Sequence, residues 1–260
     1  MPDPDTPLDR AHAAMTDAPE DDAARLAYYA RLADAELFLW LAAEPQGGAF
    51  EPESFTVEDG PLVLAFDRED RLAAAAGMPV PYVALPGRII AQALAGQGVG
   101  LGVNLGVAPS AFVVPPEALV WLSDLLARTP VSETARPVGF HAPGALPASL
   151  IEALDAKLAP AKGMAAAALL AGVAYEDGRL GHLLAFIAAD PAAEPALARA
   201  ASEALTFSGV EAGQMDVAFL PPDHAAVPAL ARVARPFPME REEEEEPVPP
   251  PVPDRPPRLR

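Results

Sequence analysis

Two polar residues sit where the local pattern gives them no obvious place. Arg88 falls in the first turn of an apolar run, Gly87-Arg88-Ile89-Ile90-Ala91-Gln92-Ala93-Leu94, whose spacing predicts a helix; a cation there opposes the helix dipole. Asn104 interrupts a strand otherwise made of Gly, Val and Leu, Gly100-Leu101-Gly102-Val103-Asn104-Leu105-Gly106. Both are candidate contacts to a ligand or a partner. For Asn104 the competing reading is a turn residue that satisfies its own backbone at the strand end.

Other chemistry finds less support. Gly96-Gln97-Gly98-Val99-Gly100 resembles the start of a dinucleotide loop. Such a loop must follow a strand and open a helix, so that the helix amides meet the phosphate; here a helix precedes the glycines and a strand follows. Gly96 suits a helix C-cap, and Gly98, Gly100 and Gly102 alternate as if one strand face were kept clear. Of His12, His141, His182 and His224, none stands three or four residues from another, so no helical metal pair forms. His182 falls inside a strand pattern, and His141 and His224 lie in loops beside prolines. No Gly-x-Ser-x-Gly elbow occurs, and Ser110, Ser123, Ser132 and Ser149 fit caps or loops. Asp67-Arg68-Glu69-Asp70-Arg71 reads as a solvated helix start, and Lys157 and Lys162 as cations suited to a helix end. No catalytic residue, cofactor site or metal ligand is assigned, and the chain is not expected to be an enzyme.

Lys and Arg number 18 against 37 Asp and Glu, a net charge of −19. Such a surface repels nucleic-acid phosphates and anionic lipid alike, which leaves another protein as the expected partner. With no cysteine the chain forms no disulfide and offers no thiolate. Met1–Thr16 has no apolar core of a signal peptide, and no apolar run approaches the length of a membrane span, so a cytoplasmic location is expected.

The elements that must position these residues are short and mixed. Thr6 can cap a first helix with Pro7 at its first position. A second helix begins at Asp17 or Pro19 and runs to about Asp34, with Leu26, Tyr29, Leu32 and Ala33 as its buried stripe. Leu37–Leu41 reads as an apolar strand, and Asp59-Gly60 turns a hairpin between Phe55–Glu58 and Leu62–Phe66. A helix follows over Asp67–Ala76, then a strand over Tyr82–Leu85. After Phe112–Val114, Pro115-Pro116 opens a helix to Arg128 with Leu119, Leu122, Leu125 and Leu126 inward. Beyond a polar linker at 129–135 the order is strand (138–140), helix (147–158), strand (165–175), strand (180–189), helix (193–205), strand (217–220), a βαββαβ succession of ferredoxin-like type. A last helix covers about 225–233. Glu242–Glu246 and the prolines after it predict a disordered tail of polyproline II character. The expectation is an α+β protein: two small mixed domains, 1–128 and 136–236, and an acidic, proline-rich tail, 237–260.

The succession of Leu37–Leu41, Phe66-Asp67 with Arg71-Leu72, Gly87-Arg88, then Gly98 to Gly106 and a helix after Pro115-Pro116 resembles the SseB ("enhanced serine sensitivity") family. Two positions depart from that family's pattern: Ala65-Phe66-Asp67 lacks a threonine, and Val103-Asn104-Leu105 lacks a proline. The segment ending in Asp216-Val217-Ala218-Phe219-Leu220 looks like the family's C-terminal domain. The resemblance implies a bacterial protein linked to serine sensitivity and carries over no catalytic residue. The expected function is a non-catalytic protein-interaction or regulatory module; the alternative is a small-metabolite sensor or enzyme with a site near Arg88 and Asn104.

Overall fold

A computed structural model describes residues 6–45, 50–58, 60–128, 136–209 and 215–240. Thr6 caps helix α1 (Pro7–Asp17) with a reciprocal capping box to Asp9, which satisfies the first free amides of the helix. Helix α2 (Asp22–Asp34) starts later than expected, because the Asp21 side chain accepts from the Ala23 amide and makes Asp21 the cap. Its Tyr28, Tyr29, Leu32 and Ala33 are buried.

The N-terminal sheet comprises β1 (Glu36–Trp40), β2 (Ser54–Val57), β3 (Gly60–Phe66), β4 (Tyr82–Pro86), β5 (Gly100–Val103) and β6 (Phe112–Val114). Its order is β4-β1-β3-β5-β6, with β2 paired to β3 beyond the end of β1. The expected hairpin is present as antiparallel β2 and β3. Strand β3 then reaches its parallel neighbour β5 through helix α3 (Glu69–Ala76), edge strand β4 and helix α4 (Gly87–Leu94). Helix α5 (Pro116–Leu126) closes this half with Leu119, Leu122 and Leu125 buried.

Of the glycines expected to clear one strand face, Gly100 and Gly102 do so: a Cβ on either would lie 2.6 Å from a leucine side chain. Gly98 does not belong to that set, since it precedes the strand at φ 69°. Gly96 takes φ 76° just after α4, the left-handed stop foreseen for it.

The C-terminal half consists of β7 (Pro137–His141), α6 (Ala148–Leu158), β8 (Ala167–Tyr175), β9 (Leu180–Ile187), α7 (Glu194–Phe207), β10 (Met215–Leu220), α8 (Val227–Val233) and β11 (Arg235–Phe237). The helices and mixed sheets of both halves are those of an α+β protein. The ferredoxin-like arrangement, however, is not formed. A split βαβ fold would place the first strand of this half between its third and fourth; instead β7 lies antiparallel on β8, β8 on β9, and only β10 returns parallel to β9. Strands β7 and β11 share one edge of β8, pairing with residues 172–175 and 168–170 respectively. The element succession is the one expected; the pairing partner of the first strand is not.

The apolar β8 carries Ala168 and Leu170 into a core under α6 and α7, and Leu169, Ala171 and Val173 into a second core under Leu230 of α8. A strand covered on both faces reads as a continuous apolar run. Phe237 and Met239, placed by sequence in the tail, are buried in the first of these cores. The tail boundary therefore moves beyond Met239. Pro236 is tolerated in β11 because the strand is an edge that needs no donor from that residue. Residues 241–260, with the glutamate and proline runs, lie outside the described residues.

Candidate functional site

Asn104 sits at the C-terminal end of β5 with φ 52°, a left-handed conformation that Asn enters more readily than most residues. Its side chain is fully buried. The amide oxygen accepts from the Asp67 backbone N–H at 3.1 Å, and Nδ2 donates to Ser110 Oγ at 2.9 Å. Ser110 donates in turn to Asp9. Arg71 clamps Asp9 through two bonds, 2.9 and 2.7 Å, and reaches Asp67 at 2.9 Å. Thr6 Oγ1 donates to Asp67 at 2.6 Å. One buried network thus fastens the start of α1, the β3–α3 junction and the end of β5. Burial by itself would push Asp9 up, but Arg71, Ser110 and the Thr6 amide together hold its carboxyl well below the usual range. The mixed-sign run at 67–71 is therefore only partly solvated: Glu69 and Asp70 are exposed, while the Asp67 and Arg71 side chains are 5% and 3% exposed.

Arg88 belongs to a second ionic cluster, between the two halves. Its guanidinium donates to both oxygens of Glu203, at 3.0 and 3.1 Å, and to Asp34. Lys157 Nζ lies 2.6 Å from Glu203 and 2.7 Å from Asp34. Burial would raise Glu203, yet Arg88 and Lys157 keep it below its ordinary value. Lys157 is thus buried against carboxylates rather than held by a helix dipole. Beside it, Phe207 of α7 inserts into the core of the N-terminal half, with Lys157 5.5 Å over its ring.

Each candidate contact is thus engaged inside the protein, and the structure does not bring the two together. They end separate clusters with no shared member. The remaining candidates are equally separate. His12 packs edge-on to Tyr28 and Phe112, the His141 ring lies over Gly172, His182 is a β9 residue opposite Met215, and His224 accepts from the Ala226 amide. No helix among the described residues is long and apolar enough to cross a membrane.

A surface that sequence reasoning did not single out is an open groove of about 480 Å³ between α2 and α5. Leu26, Tyr29, Ala118 and Trp121 form its apolar floor, and Asp22, Arg25 and Glu117 its rim. Positions 22, 25, 26 and 29 recur at helical spacing and so share one face of α2. Trp121 is 40% exposed and meets Tyr29 edge to face at 5.2 Å. Burial is also the main reason the Tyr29 hydroxyl is pushed up. The available signal was Trp121 itself, a large aromatic on the outer face of a helix whose leucines already fill the inner one.

An α+β fold whose first half is a mixed sheet locked by a buried Asp-Arg-Asn network defines the structural class. Residues 8–121 match the family model of the SseB protein N-terminal domain, so the first half of the chain is similar to that domain. The match stops at Trp121 and does not extend to the C-terminal half. No curated protein and no solved structure gives a significant match.

Proposed function

We propose that this protein works by binding another protein, without catalysis, through the groove between α2 and α5. The observation that carries this reading is Trp121, kept 40% exposed above a pocket floored by Tyr29 and Leu26. Aromatic side chains in a concave apolar site are the usual anchors of protein recognition. The partner is a segment with apolar side chains flanked by Lys or Arg, because on the rim Arg25 is paired with Asp22 and Glu117 leaves a net negative charge, on a chain of net charge −19. The metabolite-site alternative loses its support, since Asn104 is enclosed and Arg88 is held by two carboxylates. On this reading the protein is a cytoplasmic bacterial regulatory module of a family tied to serine sensitivity, and its C-terminal half is that family's second domain.

The test is a peptide array of apolar-basic segments probed with the full chain and with Trp121→Ala. Loss of about tenfold or more in affinity, at unchanged thermal stability, is expected for a residue that anchors an interface. Binding that is indifferent to Trp121, or a metabolite whose binding survives its removal, would overturn the groove.

A further inference from the structure

The C-terminal end of the chain has the chemistry that this groove accepts. Pro247, Pro250, Pro253 and Pro256 recur at intervals of three, which aligns them along one edge of a polyproline II helix. Such a helix docks on aromatic-lined grooves at small entropic cost, because its conformation is largely preset. The same stretch, 247–260, holds Arg255, Arg258 and Arg260 against a single acid, Asp254, for +2 in side-chain charge; the other 246 residues therefore carry −21. Five of those negative charges are Glu242–Glu246 at the base of the segment itself; residues 1–239 carry −16, so the segment is opposite in sign to the body. At the groove, Asp22 already holds Arg25, whereas Glu117 makes no salt bridge to a described residue.

The connection is also long enough. Met239 is buried in the core that α7 covers. At the far end of that helix, Gly209 lies beside Leu26, on the groove floor. A helix of 14 residues is roughly 20 Å long. The residues from 241 to 249 can span up to about 30 Å.

We propose that the segment Pro250–Arg260 occupies the α2–α5 groove of its own chain, its prolines on Tyr29 and Trp121 and an arginine on Glu117, so that the tail competes with external partners. The inference rests on the groove being a binding surface. Because it is tethered, the tail acts at an effective concentration of order millimolar. An external segment must then displace it, and reversing the tail's charge should strengthen external binding by about tenfold.

The absence of cysteine allows a test in the full chain. Leu259→Cys carries a nitroxide, and Trp40→Phe leaves Trp121 as the sole tryptophan. The expected result is strong quenching of Trp121, reduced at high salt and abolished by Arg255→Glu with Arg258→Glu. Unquenched Trp121, or quenching indifferent to the charge reversal, overturns the proposal. Quenching that grows with protein concentration overturns it too, assigning the groove to the tail of a second copy. The two readings separate cleanly. If the tail leaves Trp121 unquenched while an apolar-basic peptide still binds in a Trp121-dependent way, the groove stands and self-occupancy falls. If neither touches Trp121, both fall.

Discussion

Asn104 and Arg71 are held by different physics, and substitutions should separate the two. At Asn104 the side chain satisfies the Asp67 amide and Ser110, while the backbone takes φ 52°. Asn104→Gly removes the hydrogen bonds but keeps a comfortable backbone, at an expected cost of about 1–3 kcal/mol. Asn104→Ala adds the left-handed penalty and should lose roughly 1–2 kcal/mol more. Urea denaturation of the pair measures the difference, and equal stabilities would refute the strained backbone. Arg71→Met leaves Asp9 and Asp67 buried without their counter-charge, at about 3–5 kcal/mol. The pH dependence follows from the depressed Asp9 and Glu203. A carboxyl whose folded pKa lies below its unfolded value contributes stability above the unfolded pKa, near 4. That contribution is lost as pH falls through the folded value. Stability should therefore be flat at neutral pH and decline below about pH 4.5, and the decline should be shallower in Arg71→Met.

At the scale of elements, the approach of α4 to α2 depends on a hydrogen atom. The Gly87 N–H donates to Ala35 O at 2.9 Å. A Cβ at Gly87 would lie 1.9 Å from the Leu32 carbonyl oxygen, a backbone atom that cannot rotate away. Gly87→Ala should therefore destabilise by about 3 kcal/mol, toward the upper end of overpacking costs. Gly139→Ala in β7, where nothing lies within 4 Å, should be nearly neutral. A Gly87→Ala chain as stable as the parent in denaturant would rule out this contact. The placement also explains the Gly-Arg pair: glycine admits the helix, and the next residue projects to the ionic cluster. With Phe66-Asp67, Arg71 and Asn104, the motifs that carry the family resemblance lie at fastening points of the fold, which accounts for their residue types without invoking a reaction.

For the molecule as a whole, the question is how firmly its halves are joined. Arg88, Asp34, Lys157 and Glu203 form a balanced set of two cations and two anions, and Phe207 crosses into the opposite core. Both tryptophans, Trp40 and Trp121, belong to the N-terminal half, so fluorescence follows that half while far-UV circular dichroism follows both. The parent chain should unfold with coincident transitions. Arg88→Met leaves Lys157 as the single cation against Asp34 and Glu203, and Phe207→Ala opens a cavity costing about 3–5 kcal/mol; in either variant the two signals should separate. Coincidence in both would mean that the halves are coupled by something other than this interface.

What the sequence determined by itself is local: the Thr6-Pro7 helix start, the β2–β3 and β8–β9 hairpins, the leucine face of α5 and the α+β class. Each is set by capping, turn or periodicity signals that act over a few residues. The SseB resemblance was also legible in the N-terminal half, because its motifs are residue types required by close packing at Gly87, Gly100 and Gly102 and by buried polar contacts at Asp67, Arg71 and Asn104. The rest is a matter of which distant segments meet. Nothing near Val138 says that β7 pairs with β8 instead of lying between β9 and β10, and the three residues of β11 are too few to show a period. Nor does the run at 67–71 reveal which of its charges turn inward, since Asp9 and Asn104 reach them only through the assembled sheet. Trp121 was visible as a residue, but its meaning depends on Tyr29, from a helix about ninety residues earlier. Only packing brought the two rings together, because hydrophobic burial is non-directional and the chain's topology decides which apolar faces remain uncovered.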